Sequence, residues 1–151
     1  MDSDKLDLYV ELVGNGSKYF NKFCNEIDSC EAEADINSPA FNELLGAEQK
    51  SLGKELTPDE KDKLFETHLR NLRAKEIDIF DRYTLRLDMD DKDLSDFLCL
   101  PITTVKEFFD GKEIESRELF KTAMSLAIHV QILVSNLSRI RSFVYLQDAE
   151  L

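Results

Sequence analysis

The apolar residues of this chain recur mostly at intervals of three and four, the period of helices that each bury one face. Residues 6–13 are the exception. Leu6, Leu8, Val10 and Leu12 alternate as in a strand, while Leu6, Tyr9, Val10 and Val13 also fit one face of a helix. The helical company elsewhere favours the helix. Gly14-Asn15-Gly16 is expected to end it, because this trio readily takes positive φ. Ser17 can then cap a helix carrying Tyr19, Phe20, Phe23, Cys24 and Ile27, before an acidic, irregular stretch over 28–37.

Further along, Ser38-Pro39 reads as a cap followed by a first-turn proline. Phe41, Leu44, Leu45 and Leu52 supply the next stripe, weakened by Gly46. Thr57-Pro58-Asp59-Glu60 is the clearest helix start, with Thr57 and Glu60 placed as a capping box. Phe65, Leu69, Leu72, Ile79, Phe80, Tyr83 and Leu87 then continue to residue 87. One helix over that span is about 45 Å long. A break at Lys75–Asp78 fits equally, since Glu76 interrupts the stripe. From Ser116, a natural cap, Leu119, Phe120, Ala123, Met124, Ala127, Val130, Leu133, Val134, Leu137, Ile140, Phe143 and Val144 run on without glycine or proline. A helix so apolar is either wrapped by the N-terminal segment, the reading favoured here, or packed on a second subunit as a homodimer through residues 117–144. The expected fold is all-α: an acidic helical extension over 1–56, then a helical domain over 57–151.

The segment over 91–112 reads D-K-D-L-S-D-F-L-C-L-P-I-T-T-V-K-E-F-F-D-G-K. Leu94 and Leu98 give a short first helix an inward face. Ser95 is small where a second helix must come close, and Leu100 is the apolar residue of the turn. Pro101 opens the second helix, Val105 and Phe108 plant it, and Asp110-Gly111-Lys112 stops it. This run resembles the helix-turn-helix of the Xre/Cro repressor-like family, and apolar positions extend the resemblance over about residues 76–130. The resemblance implies a lambda-repressor-like core and a regulator that binds operator DNA as a dimer. Thr103, Thr104 and Lys106 would then face the major groove, and Lys112 and Arg117 the phosphates.

The departures point elsewhere. Asp91 stands where the family places a glutamine that grips the phosphate backbone, and Cys99 replaces the glycine of the turn. A cysteine there is strained at positive φ, or the turn is reshaped. The second helix offers no Arg, Asn or Gln for bidentate base reading.

Charge adds to this. The 151 residues carry 19 basic and 31 acidic groups, a net −12, which excludes a broadly basic nucleic-acid or membrane-surface binder. Residues 1–84 hold −8 of that and residues 85–151 hold −4. Asp88, Asp90, Asp91, Asp93 and Asp96 crowd the first motif helix against Lys92 alone and would repel a phosphate backbone. Lys106, Lys112, Arg117 and Lys121 could still form a compensating basic patch. The alternative is an acidic protein-interaction module (antitoxin-like, an adaptor or a DNA mimic) that offers Asp88, Asp90, Asp91 and Asp93 to a basic protein partner.

Enzymatic chemistry is not expected. His68 and His129 lack ligand-spaced neighbours, Asp88, Asp90 and Lys92 lack the glycine and glutamate of a calcium loop, and Gly14–Ser17 is too short for a phosphate loop. No catalytic residues, metal or cofactor are therefore assigned. Cys24, Cys30 and Cys99 show no CxxC spacing and read as reduced thiols of a cytoplasmic protein. The first 30 residues, with Asp2, Asp4, Asp7 and Glu11, do not read as a secretory leader. The charge-free run Thr122–Ser138 is short and polar for a membrane span, so no membrane association is expected.

Overall fold

The computed structural model describes the backbone of residues 3–149, and the side chains of residues 7, 10–11, 14–139 and 141. Six helices follow one another, with no strand among the described residues: α1 (Ser3–Glu33), α2 (Pro39–Leu52), α3 (Pro58–Arg86), α4 (Asp91–Leu98), α5 (Ile102–Phe109) and α6 (Arg117–Ala149). No helix is long and apolar enough to cross a membrane among those residues.

The core lies where α1, α3 and α6 meet and is closed at one end by α4 and α5. Phe23, Ile27 and Cys30 of α1 join Ile79, Phe80 and Tyr83 of α3, Leu94 of α4, Val105 and Phe108 of α5, and Phe120, Met124, Ile128 and Ile132 of α6. Aromatic edges organise its centre. Phe23 meets Phe80 at 5.5 Å and Tyr83 at 5.0 Å, and Phe108 meets Phe80 at 5.7 Å and Phe120 at 4.8 Å. α1 is thus part of this core rather than an appendage to it, but it covers only the inner face of α6: Leu119, Leu126, Leu133, Val134 and Leu137 stay exposed, so the expected wrapping is only partial. α2 forms a satellite on α3, with Phe41 against Phe65 and His68. His68 also holds α1 in place, its Nε2 lying 2.7 Å from the Glu33 carbonyl. His129 instead stacks on Phe20, with ring centroids 4.0 Å apart.

Several local expectations are corrected. α1 runs straight through Gly14-Asn15-Gly16, so no turn forms there and Ser17 is not a cap. The reason is tertiary. A Cβ on Gly16 would collide with the Asn136 amide and crowd Ile132, so the bare glycine lets α1 approach α6 closely. That approach more than offsets the helix penalty of glycine. Residues 28–33 are also helical, with the chain turning only at 34–37.

α2 and α3 start where the sequence predicts, but Glu60 Oε1 accepts from the Thr57 hydroxyl at 3.0 Å rather than from its backbone N–H, so the expected capping box is only half made. Ser38 Oγ accepts from Phe41 N–H at 3.2 Å, and Thr57 Oγ1 accepts from Glu60 N–H at 3.3 Å. α3 has no break at Lys75–Asp78, because Glu76 is buried among cations rather than exposed. Pro101 precedes α5 rather than opening it. Ser116 sits at φ 56 and contributes its carbonyl, which accepts from Phe120 N–H at 3.0 Å.

Candidate functional site

α4, a tight turn and α5 form a two-helix unit seated on the core. Asp90 starts α4 with a reciprocal capping box: its Oδ1 accepts from Asp93 N–H at 2.8 Å, and Asp93 Oδ2 accepts from Asp90 N–H at 3.1 Å. The bond from the Asp93 amide, above all, holds the Asp90 carboxyl below its ordinary pKa. Cys99 ends α4 at φ 54, ψ 41, so the left-handed turn is kept without the glycine. Ser95 pins it from both sides. Its Oγ donates to the Leu100 carbonyl at 2.5 Å, and its own carbonyl accepts from Leu100 N–H at 3.1 Å. Leu94, Val105 and Phe108 are fully buried beneath. Gly111, at φ 77, turns the chain out of α5.

On the outer side of this unit, Thr103, Lys106 and Glu107 are exposed and Thr104 is half-buried. Lys112 is exposed just beyond. Asp88, Asp90, Asp93 and Asp96 are exposed at α4, and Asp91 is half-buried. Two apolar side chains stand among these polar groups: Phe97 is 44 % exposed and Ile102 37 % exposed, on either side of the turn.

The four-cation patch expected beside α5 is not assembled. Arg117 turns inward: its Nη2 lies 3.0 Å from Glu76 Oε1, and its guanidinium sits 4.8 Å from the Phe108 ring centre. Lys121 is deeper, with Nζ 2.8 Å from Glu76 Oε2 and 3.2 Å from both Glu31 and Glu118. Burial pushes the Lys121 ammonium down, but the bond to Glu76, its charge and the two outer carboxylates outweigh this and leave its pKa raised. Arg117 is therefore corrected from a phosphate-facing residue to a member of an internal ion cluster. Lys106 and Lys112 alone remain of the patch.

Other basic groups collect on a different side of the fold. Lys18, Lys22, Lys75 and Arg82 line a groove of about 690 Å³ between α1 and α3, with Asn21, Asn25 and Asp78. Arg82 is held there by Glu26 at 3.2 Å. The nearby Tyr83 hydroxyl, then the bond from Arg82, keep the Glu26 carboxyl low against the opposing effect of burial. The thiols of Cys24 and Cys30 are pushed up chiefly by burial, which leaves them protonated and poorly nucleophilic. Comparison with known protein families, curated proteins and solved structures returned no match.

Glu76 is the residue that sequence reading missed. Its signal was present, as one carboxylate within an apolar stripe and two cations four residues apart in a later helix. Only folding shows that they meet.

Proposed function

We propose that this chain is an acidic protein-interaction module that presents its α4–α5 face to a basic protein partner. The observation that carries this reading is the inward fold of Arg117 and Lys121 onto Glu76. It removes two of the four cations able to offset the carboxylates of α4. What remains is a set of exposed carboxylates on α4 with Phe97 and Ile102 exposed on either side of the α4–α5 turn, and protein interfaces favour apolar side chains bordered by polar ones. The carboxylates draw a basic partner in, and the two apolar side chains supply contact area once it docks. Cys24, Cys30 and Cys99 are free thiols, which fits a reducing, cytoplasmic setting.

The second reading is the helix-turn-helix regulator. It is favoured by one feature, the short α4 and α5 joined through a left-handed residue and seated by Leu94, Val105 and Phe108. On that reading Thr103, Thr104 and Lys106 enter the major groove and Lys112 meets phosphate.

One pair of titrations separates the two. A fluorescent Lys/Arg-rich peptide and a fluorescent random-sequence DNA duplex are each titrated with the full chain at low salt. The interaction module binds the peptide, loses affinity as salt rises, and loses binding in the Asp91→Lys/Asp96→Lys variant. Asp90 and Asp93 are left intact in that variant because they cap α4. Binding of the duplex, abolished by Lys106→Glu, with none of the peptide would overturn the proposal in favour of the regulator.

A further inference from the structure

The α6 helix carries its apolar residues on two opposite sides. Phe120, Met124, Ala127, Ile128 and Ile132 enter the core. On the far side Leu119, Leu126, Leu133 and Leu137 are 70, 60, 46 and 58 % exposed, with Ala123 and Val130 half-buried between them. Their spacing alternates four and three: Leu119, Ala123, Leu126, Val130, Leu133, Leu137. In heptad terms leucine occupies every d position, and Ala, Val and Leu occupy the a positions, the seam of a two-helix coiled coil. The same sequence pattern continues at Ile140 and Val144, whose side chains lie outside the described residues. A helix apolar on both sides is found where both sides are covered, and among the described residues only the inner side is.

We infer that a second copy of this chain covers the outer face of α6, seam against seam. Two observations select a copy rather than a different partner. The spacing is self-complementary, because a knob at each a or d position needs a matching helix with the same repeat. The face is also charge-free from Thr122 to Ser138 in a chain of net −12. A basic partner finds nothing to pair with there, whereas two acidic chains meet with least repulsion on the surface that carries no charge. This inference does not rest on the α4–α5 reading, since it uses another face of the molecule.

The two surfaces respond to salt in opposite directions. Self-association through the seam tightens as salt rises, because repulsion between two −12 chains is screened while apolar contact is kept. Binding of a basic partner weakens.

Sedimentation equilibrium of the full chain at tens of micromolar tests the inference. The expected result is a species of twice the chain mass, more populated at 500 mM than at 50 mM salt. Leu126→Glu/Leu133→Glu raises the dissociation constant by roughly a hundredfold or more while leaving the helical circular dichroism unchanged. Leu126→Lys/Leu133→Lys does the same, and an equimolar mixture of the two variants dimerises again because opposite charges now face each other. A wild-type chain that stays monomeric at 500 mM salt and about a hundred micromolar overturns the inference. So does a dimer that survives both pairs of substitutions.

Discussion

The two sides of α6 invert the usual distribution of charge. Its inner side buries Lys121 and draws in Arg117, both bound to a carboxylate that is itself only 6 % exposed. Its outer side shows water a row of leucines and no charge. The inner ions are tolerated because α3 and α1 bring Glu76 and Glu31 to them, replacing lost hydration with short, charge-assisted bonds. The outer leucines have no counterpart among the described residues. Whether a helical face is inside or outside therefore follows from what the other helices bring to it, and not from its own polarity.

The sharpest way to break this contrast is to remove the inner carboxylate. Glu76→Ala leaves Lys121 and Arg117 without their shared partner, at a cost of about 3–5 kcal/mol in urea unfolding. Glu76→Met combined with Arg117→Met and Lys121→Met recovers most of the loss, since shape-matched apolar side chains need no partner. A single-variant cost under about 1 kcal/mol, within the range of exposed ion pairs, would show that the cluster is effectively solvated.

Close approach of α1 to the same helix depends on the bare Gly16. Gly16→Leu overpacks the Asn136 contact and costs about 1–3 kcal/mol, whereas Gly14→Leu, with open space around it, does not destabilise. Equal effects at both glycines would remove the close-packing account. At the turn between α4 and α5, Cys99→Gly is expected to raise stability by up to about 1 kcal/mol by relieving a left-handed cysteine. Thermal melts of that variant and of Cys99→Val, which moves the other way, check this.

Titration separates the ion pairs by sign. The folded pKa of Lys121 is raised, so its contribution is complete at neutral pH and is lost only as pH rises through that alkaline value. The folded pKa of Glu26 is lowered, so its contribution is present above the ordinary carboxylate range and fades as pH falls through the lowered value. Glu26→Gln therefore flattens the acid limb of stability against pH, and Lys121→Met the alkaline limb. The smallest effect belongs to the outer face. In dilute solution, where the chain is a monomer, Leu126→Glu shifts unfolding by less than about 0.5 kcal/mol.

Much of the fold was legible locally. Caps at Ser38 and Thr57, the stripe from Phe65 to Tyr83 and the stop at Gly111 follow from bonds and periods spanning a few residues. The candidate face was legible as a list of side chains, since Thr103, Thr104, Lys106 and the aspartates of α4 lie at or near the surface of the unit that contains them. The failures share one cause. Gly16 looked like a helix terminator and Glu76 like an interruption, because each is unfavourable within its own segment. Each is explained only by a residue more than 40 positions away, Asn136 for Gly16 and Lys121 for Glu76. Arg117 was misplaced for the same reason, since an exposed arginine and one paired to Glu76 have the same local sequence.

By itself the sequence determined an all-α chain, the starts of α2 and α3, its net acidity and the presence of two short helices within 91–112. These rest on short-range hydrogen bonding, helical periodicity and a simple count of charges. Tertiary structure decided which polar groups are spent inside and which apolar groups remain outside. Burial of an ion or a glycine contact depends on the helix that arrives opposite, and that distance is not written in the neighbouring residues.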